Sequence, residues 1–258
     1  MKKFNKQYGD SDALKKIIIK LFVQNVKGKK ADTTLSNIRH DGRGGHWLET
    51  QMGLTHNALN APDIHGFEMK NDTRSKTTFG DWSADYYIFK DPVHLLNRDK
   101  FMIVFGGPNV DGRYSWSGRM CPKIKQYNSH GQILEVDHAG NIFAEYSFKN
   151  DLRPGKSIIV PAHLQKEGLV LARWDAKELK IKVESKFNKL GWFKCQKGPD
   201  GAYANIVFGD PIDFNRWIEG VRQGKIYFDS GMFTGNSRNY SQWRADNRYW
   251  ESLISERY

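Results

Sequence analysis

The segment Pro62-Asp-Ile-His-Gly-Phe-Glu-Met-Lys70 sets the tightest condition on how this chain can fold. In an extended strand, successive side chains point to opposite faces. With a strand over Ile64 to Asn71, Phe67 and Met69 need a hydrophobic core on one side, and Glu68 and Lys70 emerge together on the other. Asp63 enters that charged face from the start of the strand. Two carboxylates held in this way suit a hard cation such as Mg2+, which takes oxygen ligands and sits against a substrate phosphate. The backbone carbonyl of Met69 would complete the set. Beside such a cation, Lys70 has three roles open to it: lowering the pKa of a bound water, orienting that water for in-line attack, or stabilising charge on the phosphorane oxygens. The same spacing also fits a charged edge strand whose Glu and Lys pair in solvent, so support is needed elsewhere in the chain.

That support lies upstream. A helix is expected from about Gly45 to Met52, closed by Gly53, and within it Glu49 stands between Leu48 and Met52, which face inward. Beside the strand, such a helix would bring the Glu49 carboxylate to Asp63 and Glu68. The remaining periodicity reads as a mixed α/β chain. Ser11 or Asp12 caps a helix carrying Leu14, Ile17, Ile18, Leu21 and Phe22 and ending near Asn25, followed by a polar loop from Gly28 to Thr34. The apolar run Phe101 to Phe105 reads as a central strand. Further strands are expected at Asn141 to Phe148, Ser157 to Val160, Leu179 to Ser185, Ala204 to Phe208 and Lys225 to Phe228. Asp213 caps a helix carrying Phe214, Trp217, Ile218 and Val221 and stopped at Gly224. A last helix over Ser241 to Ser255 would carry Trp243, Trp250, Leu253 and Ile254, with Arg244 and Arg248 four residues apart. The turn Asp151-Leu-Arg-Pro-Gly155 is the expected boundary between lobes at 1–150 and 151–258 that interleave in part.

Forty Lys and Arg against 29 Asp and Glu give a net charge of +11, which favours a polyanionic partner through phosphate neutralisation. No run approaches the length of a membrane span, and the basic start Met1-Lys-Lys-Phe-Asn-Lys lacks the apolar core of a secretion signal. Cys121 and Cys195 lie far apart in no metal-binding spacing, as free thiols of a cytoplasmic protein would. His40, His46, His56 and His65 do not have zinc-site spacing, and Gly42-Arg-Gly-Gly45 is too short for a phosphate-cradling loop. Groups that read bases are dense in the stretch from Asn236 to Arg248, where Asn236, Arg238, Asn239, Arg244 and Arg248 stand out. Arg74 and Lys76, with Lys27, Lys29 and Lys30, are suited to phosphate contact, and Ser75, Thr77 and Thr78 could add neutral donors. Each of these equally fits a solvated surface.

In the order Glu49, Pro62-Asp63, Gly66-Phe67-Glu68-Met69-Lys70, the chain resembles the MvaI/BcnI family of type II restriction endonucleases, which share the PD-(D/E)XK nuclease core with the nicking enzyme MutH. The resemblance implies a restriction-endonuclease-like core in a two-lobed architecture that clamps double-stranded DNA. It further implies a monomer that nicks the strands of a short, nearly palindromic site in turn. Glu49, Asp63 and Glu68 would form the acidic cluster around Mg2+, and Lys70 would be the catalytic lysine. A companion DNA methyltransferase in the same system would protect host DNA. A MutH-like repair nickase and a DNA-binding module without catalysis are the alternatives.

Overall fold

Asp10 accepts a hydrogen bond from the Asp12 amide at 3.1 Å, so the first helix is capped one residue earlier than expected. The computed structural model describes residues 10–34, 43–54 and 60–258; His40, His56 and the basic start of the chain lie outside them. In the first part of the chain come α1 (Ser11–Asn25), α2 (Arg43–Gln51), β1 (Glu68–Asn71), β2 (Lys76–Asp81), β3 (Tyr86–Tyr87), α3 (Arg98–Phe105) and β4 (Gly107–Pro108). The middle holds β5 (Tyr114–Ser117), β6 (Lys123–Ile124), β7 (His130–Val136), β8 (Ile142–Asp151), α4 (Lys156–Ile159), β9 (Leu169–Trp174) and α5 (Ala176–Phe187). The last part holds β10 (Trp192–Lys197), β11 (Tyr203–Gly209), α6 (Phe214–Arg222), β12 (Ile226–Phe233), β13 (Ser241–Asp246), α7 (Asn247–Ser252) and β14 (Ile254–Arg257).

The chain divides into two compact units, and the division does not fall at Asp151 to Gly155. The first comprises 1–77, 182–213 and 246–258, and the second 78–181 and 214–245, so the expected boundary turn lies inside the second unit. The first unit is built on a mixed sheet in the order β1-β10-β11-β14, with β1 parallel to β10 and the other neighbours antiparallel. Phe67, just before β1, and Met69, Phe193 and Cys195 on one face of β1 and β10 are buried in one core with Ile18 and Phe22 of α1, Leu48 of α2, and Phe208 of β11. The second unit carries sheets in the orders β2-β13-β12-β5-β4 and β3-β9-β8-β7-β6. Its core is aromatic: Trp174 meets Trp243 and Phe228 edge-on, and Trp217 meets both Trp82 and Trp243.

Three segments expected to be strands and one expected to be a long helix take other forms. Phe101 to Phe105 belongs to α3, where the Asn97 side chain accepts from the Lys100 amide at 2.8 Å. Phe101, Met102, Val104 and Phe105 are buried while Ile103 is exposed, a helical pattern that five residues are too few to reveal. Leu179 to Ser185 is likewise helical, within α5. Leu179, Ile181 and Val183 alternate as a strand would, but Leu179, Val183 and Phe187 recur every four residues, and it is these that are buried, with Ile181 left exposed. Ser157 to Ile159 lie in the single turn α4, and Val160 follows it as an extended cap residue that joins no strand. The expected C-terminal helix is instead strand, helix and strand. Ser241, Trp243 and Ala245 are buried at a spacing of two, and Asp246 then caps α7 by accepting from the Tyr249 amide at 2.7 Å.

Candidate active site

Asp63 and Glu68 are brought together by a two-residue turn. Ile64 and Phe67 exchange backbone hydrogen bonds of 3.0 and 2.8 Å across His65 and Gly66, whose φ angles of 49° and 86° are both positive. Positive φ at both central positions is the twist that closes a tight hairpin, and glycine takes it without steric cost. The strand therefore begins at Glu68 rather than Ile64. The turn folds Asp63 back beside β1, where its Oδ2 accepts from the Met69 amide at 2.8 Å. Two further bonds attach the turn to the connection between α5 and β10: Leu190 N donates to Gly66 O and Glu68 N to Gly191 O, each at 3.1 Å.

Although β1 is an edge strand, its charged face is not solvated: Glu68 is 2% exposed and Lys70 8%. Lys70 Nζ lies 2.8 Å from Glu68 Oε1 and 5.1 Å from the centre of the Phe187 ring. A second ammonium, Lys186 Nζ at the end of α5, lies 3.1 Å from the same Oε1. Glu68 Oε2 is buried and, among the described residues, has no hydrogen-bond partner. Burial, and then the charge of Glu68, raise the Asp63 carboxyl to about 7; the Met69 amide and the two lysines oppose that shift. Burial pushes Lys70 below the ordinary lysine range, against the attraction of Glu68. On the neighbouring strand Lys194 pairs in register with Lys70, and its ammonium holds Asp72 Oδ1 at 2.9 Å.

A buried carboxylate oxygen with no donor is a costly feature unless a cation meets it. Asp63 and Glu68 therefore fit a divalent cation, with Glu68 Oε2 as the unclaimed ligand. Among the described residues no three of His, Cys, Asp and Glu gather around one point. Glu49 lies half-buried on α2, which packs against β1, without forming such a three-member cluster.

The residues singled out for DNA fall in two groups. Arg74 and Arg248 are exposed, Lys76 is half-buried at the start of β2, and all three belong to the first unit. Asn236, Arg238, Asn239 and Arg244 belong to the second, where Asn236 and Asn239 are tied to Arg98. Arg98 Nη2 donates to Asn236 Oδ1 at 2.6 Å, Nε to Asn239 Oδ1 at 2.8 Å, and further bonds reach the carbonyls of Phe233, Asn236 and Arg238. Arg238 stays exposed, 2.9 Å from Asp81 and over the Tyr240 ring. Arg244 faces Asp229 across β12 and β13 at 3.2 Å, so it and Arg248 do not share a helix face. The sequence reading missed Lys186, Lys194 and Arg98. For Lys186 the usable signal was the four-residue spacing of Leu179, Val183 and Phe187, which marks α5; no local pattern pointed to Arg98.

A family model described as LlaMI restriction endonuclease matches residues 26–258. Over 264 residues the chain is 49% identical to the type II restriction enzyme ScrFI of Lactococcus lactis subsp. cremoris, covering 94% of this chain and 97% of that protein. In fold it matches the solved complex of the restriction endonuclease MvaI with its cognate DNA substrate, with a TM-score of 0.62 at 13% identity over 98% of both chains.

Proposed function

From a chain that belongs to the LlaMI restriction endonuclease family and is a type II restriction endonuclease, we infer that Asp63, Glu68 and Lys70 form the phosphodiester-cleaving centre. The observation that carries this reading is the buried Glu68 carboxylate, with Oε1 held by ammonium groups and Oε2, among the described residues, left without a hydrogen-bond partner. Asp63, Glu68 and the Met69 carbonyl are the groups we assign to Mg2+, which when bound supplies Lewis-acid stabilisation of the charge that grows on the phosphate oxygens. Glu68 aims one oxygen into the site. Asp63, held by the Met69 amide, supplies the second carboxylate. Lys70, 2.8 Å from Glu68, is assigned to stabilise the charge on the pentavalent phosphate in the transition state. Glu49 is assigned as the fourth acidic member, approaching from α2.

Hydrolysis is assigned to the first unit and base reading to the second, with Arg238, Arg244, Asn236 and Asn239 at the bases and Arg74, Lys76 and Arg248 on phosphates. The substrate is duplex DNA with a short, nearly palindromic site, cut by a monomer one strand at a time. The protein acts in the cytoplasm, and a companion DNA methyltransferase of the same system protects host DNA. No helix among the described residues is long and apolar enough to cross a membrane.

Incubation of the protein with supercoiled plasmid and Mg2+ should give discrete linear fragments by way of a nicked circle. Lys70→Met should abolish both products while leaving duplex affinity within a factor of about three, because the lysine acts on the transition state more than on the bound ground state. Cleavage by Lys70→Met at the wild-type rate would sink the assignment.

A further inference from the structure

Lys186 lies outside the Asp63, Glu68, Lys70 pattern, yet it reaches the least exposed charged group of the site. Its backbone is set in the same frame as the catalytic turn. Asn60 Nδ2 donates to Lys182 O and to Ser185 Oγ, each at 2.8 Å, fastening the last turns of α5 to the segment just before Asp63. Just beyond the helix, Leu190 bonds to Gly66, and Gly191 accepts from the Glu68 amide. Phe187, next to Lys186, is the ring under Lys70. The Lys186 side chain is 19% exposed and ends 3.1 Å from Glu68 Oε1.

The terminal torsion of a glutamate is broad and nearly two-fold, so one ammonium on one oxygen does not decide which oxygen faces a cation. Two ammonium groups on the same oxygen do. Lys70 and Lys186 both take Oε1, and Oε2 is left buried without a hydrogen-bond partner among the described residues. We propose that Lys186 is a positioning residue of the active site: with Lys70 it fixes the Glu68 carboxylate so that Oε2 is presented to the divalent cation. This rests on the reading of Asp63 and Glu68 as the metal-holding pair. Lys186 acts through Glu68 and needs no contact with the scissile phosphate.

The test is calorimetric titration of Mn2+ alone into the full chain, together with single-turnover cleavage of plasmid. Lys186→Met should weaken Mn2+ binding by roughly 10- to 100-fold, the usual effect of removing the group that orients a metal ligand. It should slow cleavage at saturating DNA without raising the KM for DNA. Lys186→Arg, which keeps a cation at that end of the helix, should restore most of both. Unchanged or tighter Mn2+ binding by Lys186→Met overturns the proposal. So does a rise in KM with Mn2+ affinity intact, which would make Lys186 a phosphate contact. If Lys186→Met does not fold, Lys186→Gln is read in the same way. The parent reading has its own control: Asp63→Asn and Glu68→Gln must each weaken Mn2+ binding. If they do and Lys186→Met does not, only the role of Lys186 fails; if they do not, the metal-holding pair itself fails.

Discussion

Asp63 concentrates the electrostatics of the site in one group. Burial and the adjacent Glu68 raise its carboxyl from 3.8 to about 7. Below the unfolded value both states hold the proton. Between 3.8 and about 7 the folded protein keeps a proton that the unfolded chain releases, so stability falls as pH rises through this window and levels off above it. Asn at this position carries no such penalty. In EDTA, the melting temperature of Asp63→Asn relative to the parent should therefore be higher at pH 8 than at pH 5, by roughly 2–4 °C for each kcal/mol in a chain of this size. Scanning calorimetry at the two pH values measures it, and an equal difference at both would count against the burial account. The residue pattern at this site was legible because Asp63, Glu68 and Lys70 are close in sequence: Glu68 and Lys70 share one strand face, and the turn at His65 and Gly66 returns Asp63 to the same strand. Lys186, whose place beside Glu68 depends on how α5 packs, left no mark within that window.

At the level of the element, the turn before β1 is the part on which the site depends most directly. His65 and Gly66 both lie in the left-handed region, and the turn they form sets the register of Asp63 against Met69. Gly66→Ala adds a Cβ where φ is 86°, and it should lower stability by about 1–2 kcal/mol in urea unfolding. Cleavage should fall further than stability does, since the carboxylate pair loses its spacing. A variant of undiminished stability and activity would show that the turn tolerates a side chain. The α5 segment illustrates the limit of pattern reading. Leu179, Ile181 and Val183 fit a strand and Leu179, Val183 and Phe187 fit a helix, and only burial of the second set decides between them. The opposite error occurred at Ser241 to Asp246, where Trp243 sits in a strand of the aromatic core.

For the whole molecule, the net charge of +11 makes duplex affinity a function of salt. A protein covering about six to ten phosphates loses roughly 10^3- to 10^5-fold in affinity between ~50 and ~200 mM salt. Arg248→Ala, at an exposed position, should lower binding to cognate and unrelated duplexes alike and reduce the slope of log K against log salt by about one. Fluorescence anisotropy across a salt series would measure this; a loss confined to one sequence would make Arg248 a base reader instead. Arg98 has the opposite character. It gives up its donors to the Phe233 to Asn239 segment, so it orders residues that a sequence reading places directly on DNA.

By itself the sequence determined what depends on short range. This covers the Asp63, Glu68 and Lys70 spacing, the helices α1, α2 and α6, the strands around Ala144, Ile206 and Phe228, and a resemblance to type II restriction endonucleases that the LlaMI and ScrFI matches support. Only the tertiary structure decided which of two compatible periods each short apolar run would follow, where the chain crosses between units, and which distant side chains meet Glu68 and the Asn236 segment. The reason is physical. A strand or helix signal is carried by neighbours a few residues apart, whereas Lys186 and Arg98 acquire their partners through packing, which brings together residues that no local pattern links.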